Sequence, residues 1–310
     1  MHVHDEPSHH GTGENNTQTY PNSTMRLLHE RASCRSFMDK PIPSDVMRLV
    51  LGAGIHAPTG GNLQPYSLIK IDNKQTNTRL AKLCGEQPWI ADAATNLLFC
   101  IDWRRLERWA ELEKAPFSGA AAFRNFWITF QDVIICAQNI CTAADAMELG
   151  SVYIGTVMEC FRELVEMFSL PKGVFPVVLL CLGYPKQKPN PRRKLGIDMI
   201  VHDETYRESD DDVLLEAYRK KYPDWKLKIT EERLDTIQRV CRIVHGDEFA
   251  EESLEKIRQQ GYIGPVQNYF GLHYRADVMP EGNIEFMSLI EECGFGWFKE
   301  YVPKGEGGKL

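Results

Sequence analysis

The 310-residue chain has no cysteines in C-x-x-C spacing, no excess of basic charge and no long uncharged apolar run. Each absence closes a class. Nine scattered cysteines form neither a zinc-site pattern nor a disulfide framework, and read as reduced thiols of a cytoplasmic protein. A formal charge of −7 argues against a general nucleic-acid binder, whose domains run basic. The longest apolar segment, residues 126–147, is interrupted by Asp132 and Asp145, and the twelve uncharged residues from Val133 to Ala144 are too few to cross a bilayer. Residues 1–24 lack any apolar stretch, so no secretory signal is expected there. They read as a disordered polar tail, and nothing nearby would fix His2, His4, His9 and His10 as metal ligands.

What is present centres on "GAGIHAPTGGNLQPYSLIKID", residues 52–72. Gly52, Gly54 and Ala57 spell G-x-G-x-x-A, and Asp72 follows at the distance of a dinucleotide-binding acid. That fingerprint requires a strand before the glycines and a helix after them. Here Val46, Leu49, Val50 and Ala53 mark a helix before, with Ser44 at the N-cap position, and Pro58, Gly60, Gly61 and Pro65 prevent a helix after. The order is helix, glycine-rich loop, strand, so the pyrophosphate reading fails.

Further elements alternate. A helix is expected over Gln75–Cys84, a strand at "TNLLFCI", a helix over Phe126–Met147, another helix ending at Phe168, and a strand at "VFPVVLLCLGY". Helices around a small sheet follow, in an α/β or α+β arrangement. Residues 126–147 are apolar on nearly every face, which places them in a core or at a subunit interface. Asp132 and Asn139, seven residues apart, would share one face, where a paired helix could satisfy them. Ile135 and Ile140 would both serve that packing. From Pro185 a basic, proline-punctuated connector leads into a charged, helix-rich extension, in which "KIRQQGYIG" and "LIEECGFGWF" read as helices ending at glycines.

Four polar clusters stand out. Arg31, Ser33 and Arg35 alternate, so an extended chain aims them to one side. Thr59, Asn62 and Gln64 crowd the glycine loop, Gln87 lies in "CGEQPW", and Arg192, Arg193 and Lys194 form a basic run. Singly, each is a solvated turn or a cap. Together they suit a ligand with an anionic end and a polar, uncharged ring, because arginine forks match phosphate oxygens and exposed backbone N–H groups match a heterocycle's edge. Cys34, beside Arg35, reads as a packing residue.

In this order the clusters resemble the FMN-dependent nitroreductase family over residues 25–206. "RASCR" is similar to the family's arginine–serine–arginine element, with Ala32 where an arginine is common. "APTGGNLQPY" is similar to its flavin loop, with Thr59 for serine and Tyr66 for tryptophan. "LGSVYIG" resembles the segment whose backbone faces the ring, and "LGYPKQKPNPRRKL" the strand end with a phosphate-binding basic pair. The "GEQ" segment, the long extension and "VHDETY" at 201–206 point to the larger, NADPH-preferring subgroup.

The resemblance implies an α+β nitroreductase-like fold, a central, mostly antiparallel sheet flanked by helices in an interlocked homodimer. It implies residues 25–206 as the FMN-binding domain and 207–310 as a helical extension packing on the core or the partner. FMN contacts would come from Arg31, Ala32, Ser33, Arg35, Pro58, Thr59, Gly60, Asn62, Gln64, Gln87, Tyr153, Ile154, Gly155, Arg192 and Lys194. The implied activity is ping-pong NAD(P)H oxidoreduction, in which a nitroaromatic, quinone or similar small acceptor takes electrons from the flavin, with NADPH or NADH as donor. No side chain is assigned as acid, base or nucleophile, and no metal, nucleic acid or membrane enters. The alternatives are enoate, free-flavin or dehalogenation chemistry in the same pocket, or a flavin- or metal-binding sensor.

Overall fold

The structure, a computed structural model, describes residues 19–303, so the histidines of the tail and the disorder expected over most of residues 1–24 lie outside the described residues. The described residues form two compact units: one from residues 19–191 together with 284–303, the other from residues 192–283. In the first unit the chain runs α1 (Ser23–Glu30), α2 (Ser44–Ile55), β1 (Tyr66–Ile71), α3 (Lys74–Leu83), α4 (Pro88–Asp92) and β2 (Thr95–Asp102). It continues through α5 (Arg104–Glu113), α6 (Phe123–Ala146), β3 (Gly150–Ile154), α7 (Phe161–Met167) and β4 (Val174–Gly183). The second unit holds α8 (Asp211–Lys221), α9 (Glu231–His245), α10 (Asp247–Gln260) and α11 (Pro265–Asn268), and α12 (Asn283–Glu292) returns the chain to the first.

The sheet order is β1-β2-β4-β3, antiparallel at every pairing, as the sequence implied. Central strands β2 and β4 are buried at every position, which is why they read as continuous apolar runs instead of alternating ones. Their side chains divide between two cores. Leu97, Phe99 and Ile101 join the core that contains α6, whereas Leu98 and Cys100 join that of Leu80, Ile90 and Leu164. Pro176 cannot donate to the ladder, and the register between β2 and β4 shifts where it pairs with Cys100.

Gly54, at the end of α2, explains part of the false fingerprint. A Cβ there would lie 2.4 Å from Ile140 Cγ1, so the glycine serves close packing of α2 on α6. Asp72 ties strand ends together, accepting from Thr95 Oγ1 at 2.8 Å. Ser44 is the first residue of α2 and Pro43 occupies the cap position, where no side chain caps the helix.

Within one chain helix α6 has two faces: Phe123, Trp127, Ile128, Phe130 and Ile135 are exposed, while Val133, Cys136, Ile140 and Cys141 are buried. It departs from expectation in that Asp132 and Asn139 do not await a partner helix. Asp132 Oδ1 accepts from Gly60 N–H at 3.0 Å, and Asn139 Nδ2 donates to Ala53 carbonyl at 3.3 Å, both within the chain. Hydropathy alone could not show this, because the satisfying groups lie 72 and 86 residues away in sequence.

The second unit has its own cluster around Trp225, Leu234, Ile237, Leu254 and Ile257. Helix α10 closes at Gly261, whose φ of 77° is the left-handed cap conformation. After α12, Phe295 and Trp297 stack with centroids 4.0 Å apart and meet Phe175 of β4 edge-on, covering the sheet core.

Candidate flavin site

The arginine segment is held against β3. Ser33 bridges Ser151 in parallel, and Cys34 N–H donates to Ser151 carbonyl at 2.8 Å. Gly150 permits the approach, since a Cβ there would sit 2.6 Å from Cys34 Cβ. This pairing places residues 31–35 alongside 150–154, so two stretches far apart in sequence form one surface. The expected alternation is met only in part: Cys34 is buried and Ser33 and Arg35 are exposed, but Arg31, the residue that ends α1, does not share their side. Burial pushes the Cys34 thiol up, outweighing the pull of Arg35, so it is a packing residue.

The two arginines are engaged differently. Arg31 turns inward, with Nε 3.4 Å from Asp145 Oδ2 and 3.1 Å from Cys141 Sγ, and Nη2 donates to Ser151 Oγ at 3.4 Å. Arg35 lies over the Trp89 ring, 5.6 Å from its centroid. Ala32 is half-buried and offers only backbone. The Tyr153 hydroxyl is buried without a hydrogen-bond partner among the described residues, and desolvation pushes it well above its ordinary range. The Ile154 side chain is in the core, so its backbone alone could meet a ligand, while Gly155 is exposed with open space where a Cβ would go.

Gln87 is tied to the segment just after β3. Its Nε2 donates to Cys84 carbonyl at 2.6 Å and to Thr156 Oγ1 at 2.9 Å, and Thr156 Oγ1 in turn donates to the same carbonyl at 3.0 Å. The knot sets Gln87 next to Gly155.

The glycine loop has a separate anchor on α6. Pro58, Gly60 and Asn62 are exposed, and Thr59 and Gln64 are half-buried. Gly61, Asn62 and Gln64 adopt φ values of 60°, 56° and 49°, with Leu63 at −79° between them, and the two non-glycine positions need restraint from outside. The restraints are visible. Gly60 N–H reaches Asp132, Gln64 N–H reaches Thr59 Oγ1 at 3.2 Å, and Gln64 Nε2 reaches Ile55 carbonyl at 3.0 Å. A Cβ on Gly60 would meet Ile128 Cγ2 at 2.7 Å. Asp132 is buried and its carboxyl is pushed up by desolvation, only partly offset by the Gly60 N–H.

The structure therefore brings Arg31, Ser33 and Arg35 together with Tyr153, Ile154 and Gly155, and Gln87 with Thr156. It ties the loop to α6 some 13 residues before the Arg31 anchor, about 20 Å along the axis at 1.5 Å per residue. Arg192 and Lys194 are exposed at the start of the second unit, in a stretch without helix or strand. Missed from sequence were Asp132 and Asp145 as anchors and Thr156 as the partner of Gln87. The signal for the first two was available: each is an acid in an otherwise apolar helix, a pattern that asks for a partner.

Comparison with known proteins gives one consistent answer. The model of the family described as the nitroreductase family matches residues 28–184. An oxygen-insensitive NADPH nitroreductase of Salmonella typhimurium is 30% identical over 191 residues, covering 62% of this chain and 78% of the relative. An NADPH-flavin oxidoreductase of Vibrio harveyi is 28% identical, covering 67% and 90%. Among solved structures, nitroreductase A from Vibrio parahaemolyticus superposes with a TM-score of 0.61 at 30% identity, covering 65% of this chain and 84% of that one. The hypothetical oxidoreductase YcnD from Bacillus subtilis, at 24% identity, shares the fold over 90% of this chain and all of its own, with a TM-score of 0.69.

Proposed function

Because this chain belongs to the nitroreductase family, we propose that it is an FMN-dependent NAD(P)H oxidoreductase that passes two electrons to a nitroaromatic, quinone or similar small acceptor. The observation that carries this reading is the pairing of residues 31–35 with β3, which sets a cationic, hydroxyl-bearing strand beside the open backbone of 153–155. The donor set fits the cofactor. Arg31, Ser33 and Arg35 offer charge-assisted hydrogen bonds to a phosphate and ribityl chain. Beneath that surface the Tyr153 hydroxyl is buried without a hydrogen-bond partner among the described residues. Gln87 and the backbone of Gly155 and of Thr59–Gln64 suit the edges of a flavin ring.

The bound flavin supplies the two-electron chemistry, and the protein's share is orientation and electrostatics. The loop's own N–H groups at Gly60, Asn62, Leu63 and Gln64 are spent on Asp132, Thr59 and Gly60, so they hold the loop's shape. Donors left over at the site would stabilise negative charge on the ring, a preorganised effect worth several kcal/mol in comparable sites. No side chain is required as acid or base. The nicotinamide donor and the acceptor would take turns on the same face.

The active unit is a homodimer. Helix α6 exposes Phe123, Trp127, Phe130 and Ile135, an apolar flank that a second copy would cover. Within one chain, the loop and arginine anchors are spread along α6, and a second copy packed on the exposed flank would let a loop of one protomer face the arginine strand of the other. Among the described residues no helix is long and apolar enough to cross a membrane. Nine unpaired cysteines fit a reducing cytoplasm.

Anaerobic addition of NADPH to the yellow protein tests the reading. Bleaching of the flavin absorbance, then recovery on adding a nitroaromatic or quinone, is expected. Persistent colour with either nicotinamide would overturn it, as would recovery of FAD instead of FMN by mass spectrometry of the released cofactor.

A further inference from the structure

Arg31 is an unusual arginine for an anion site, because its inner edge is already taken. Nε faces Asp145 and Cys141, and Nη2 faces Ser151, so a ligand would meet the opposite edge of the same guanidinium. Arg31 and Asp145 are 21% and 16% exposed at the side chain, a pair largely withdrawn from solvent. We propose that Asp145 is a positioning residue that fixes Arg31 for the phosphate of the flavin nucleotide, and that docking of that phosphate is coupled to proton uptake by Asp145. The inference rests on the FMN reading above and adds a proton-linked second anion to it.

The physical reasoning is competition for one cation. While Arg31 serves Asp145 alone, its charge favours the carboxylate form. A phosphate on the outer edge shares that charge and adds negative potential within a few ångströms, and both changes favour the protonated acid. Asp145 is poised for this, since burial already lifts it to about 6, against the opposing pull of Arg31.

The groups around Asp145 leave it as the titrating member of the cluster. Arg31 is the cation facing it, from the extended segment. Cys34 from that segment and Cys141 one turn back on α6 both feel Asp145, and burial pushes both thiols up. Tyr153 on β3 senses Arg31 and Cys141, and burial pushes its phenol up as well. Between pH 6 and 8 these three stay neutral, so a proton bound on docking goes to Asp145 or to the ligand.

Calorimetric titration separates those two. FMN titrated into flavin-stripped, full-length protein at pH 7, in two buffers of different ionisation enthalpy, should show the wild type taking up about half a proton more than Asp145→Asn. Riboflavin, which lacks the phosphate, should show no such difference. Over pH 6 to 8 the wild type should lose affinity for FMN relative to Asp145→Asn by about threefold or more. Asp145→Glu should restore the uptake, which keeps the test decisive if the asparagine variant folds poorly. Equal proton counts in wild type and Asp145→Asn, with Arg31→Ala still weakening FMN, would sink the inference and spare the site. Unchanged FMN affinity in folded Arg31→Ala would instead sink the placement of the phosphate itself.

Discussion

The two halves of α6 are built from similar residues and do different things. From Phe123 to Asp132 the helix shows aromatic rings to solvent and fastens the glycine loop through Asp132. From Cys136 to Asp145 it is largely enclosed, with Cys136, Ala137, Ile140, Cys141 and Ala144 fully buried, and it fastens the arginine segment through Cys141 and Asp145. An apolar helix is thus one object in composition and two in the fold, a core element at one end and an uncovered flank at the other. In each half an acid, placed where hydropathy would forbid it, holds a piece of the candidate site. The two acids of this helix thus hold other segments of the same chain, Asp132 the backbone at Gly60 and Asp145 the Arg31 side chain, and do not serve helix–helix packing.

The sharpest way to break the comparison is to put a charge in each half. Ile140→Asp would bury a carboxylate against Gly54 and the sheet core, at a cost on the order of 5 kcal/mol or more, and should yield no folded protein. Ile135→Asp, at a site 39% exposed, should fold as a monomer and lose its flavin. Circular dichroism and sedimentation together check this. A dimeric, yellow Ile135→Asp protein would mean that the exposed flank is not an interface.

Next in size is the arginine end. Arg31→Ala removes a charge-assisted contact that the fold has already oriented, so little ordering entropy is left to lose on binding. FMN affinity should fall by about 1.5–3 kcal/mol, roughly 10- to 100-fold, read by flavin fluorescence titration. The Arg192→Ala, Lys194→Ala double variant should cost less, because both side chains are exposed in a stretch without helix or strand. A larger loss in the double variant would move the phosphate to the basic connector.

How much of this was legible follows the same division. Local pattern gave α2, β1, β2, β4 and α6, because a stripe or a run of apolar residues is set by neighbours in sequence. Ser33 and Arg35 were legible as sharing one side for the same reason, whereas Arg31, which ends α1 and turns to Asp145, was not. What remained hidden depends on pairs far apart in the chain. Asn139 looked like a residue awaiting a partner helix because nothing local shows that Ala53 carbonyl lies beside it. Ile135 and Ile140 looked equivalent because hydropathy cannot tell a core face from an uncovered one. Strand β3 was visible only as the family-like "GSVYI", since five residues carry too little periodicity of their own.

At the loop end a steric change should have an intermediate effect. Gly60→Val puts a side chain where Ile128 Cγ2 is already 2.7 Å from an ideal Cβ, so the loop must move off α6 and stretch its bond to Asp132. Thermal unfolding should report a loss of about 1–3 kcal/mol, with FMN affinity falling beside it. Unchanged stability with full flavin binding would show that Gly61, Asn62 and Gln64 hold their left-handed backbone without the helix.

The smallest effect is a matter of sign. Burial pushes the Asp132 carboxyl above its ordinary range, and Oδ2 has no hydrogen-bond partner among the described residues. The folded protein therefore holds this proton more tightly than the unfolded chain, whose aspartates titrate near 3.9. Between that value and the raised one the native state binds more protons, so this group's contribution to stability falls as pH rises and is level above the window. Asp132→Asn keeps an oxygen for Gly60 N–H and removes the charge. Its melting temperature should match the wild type near pH 4, exceed it slightly by pH 7, and hold that lead at pH 8. A lead that shrinks with rising pH would mean that the carboxylate is stabilised where it stands, and that α6 holds the loop by charge and not by a neutral hydrogen bond.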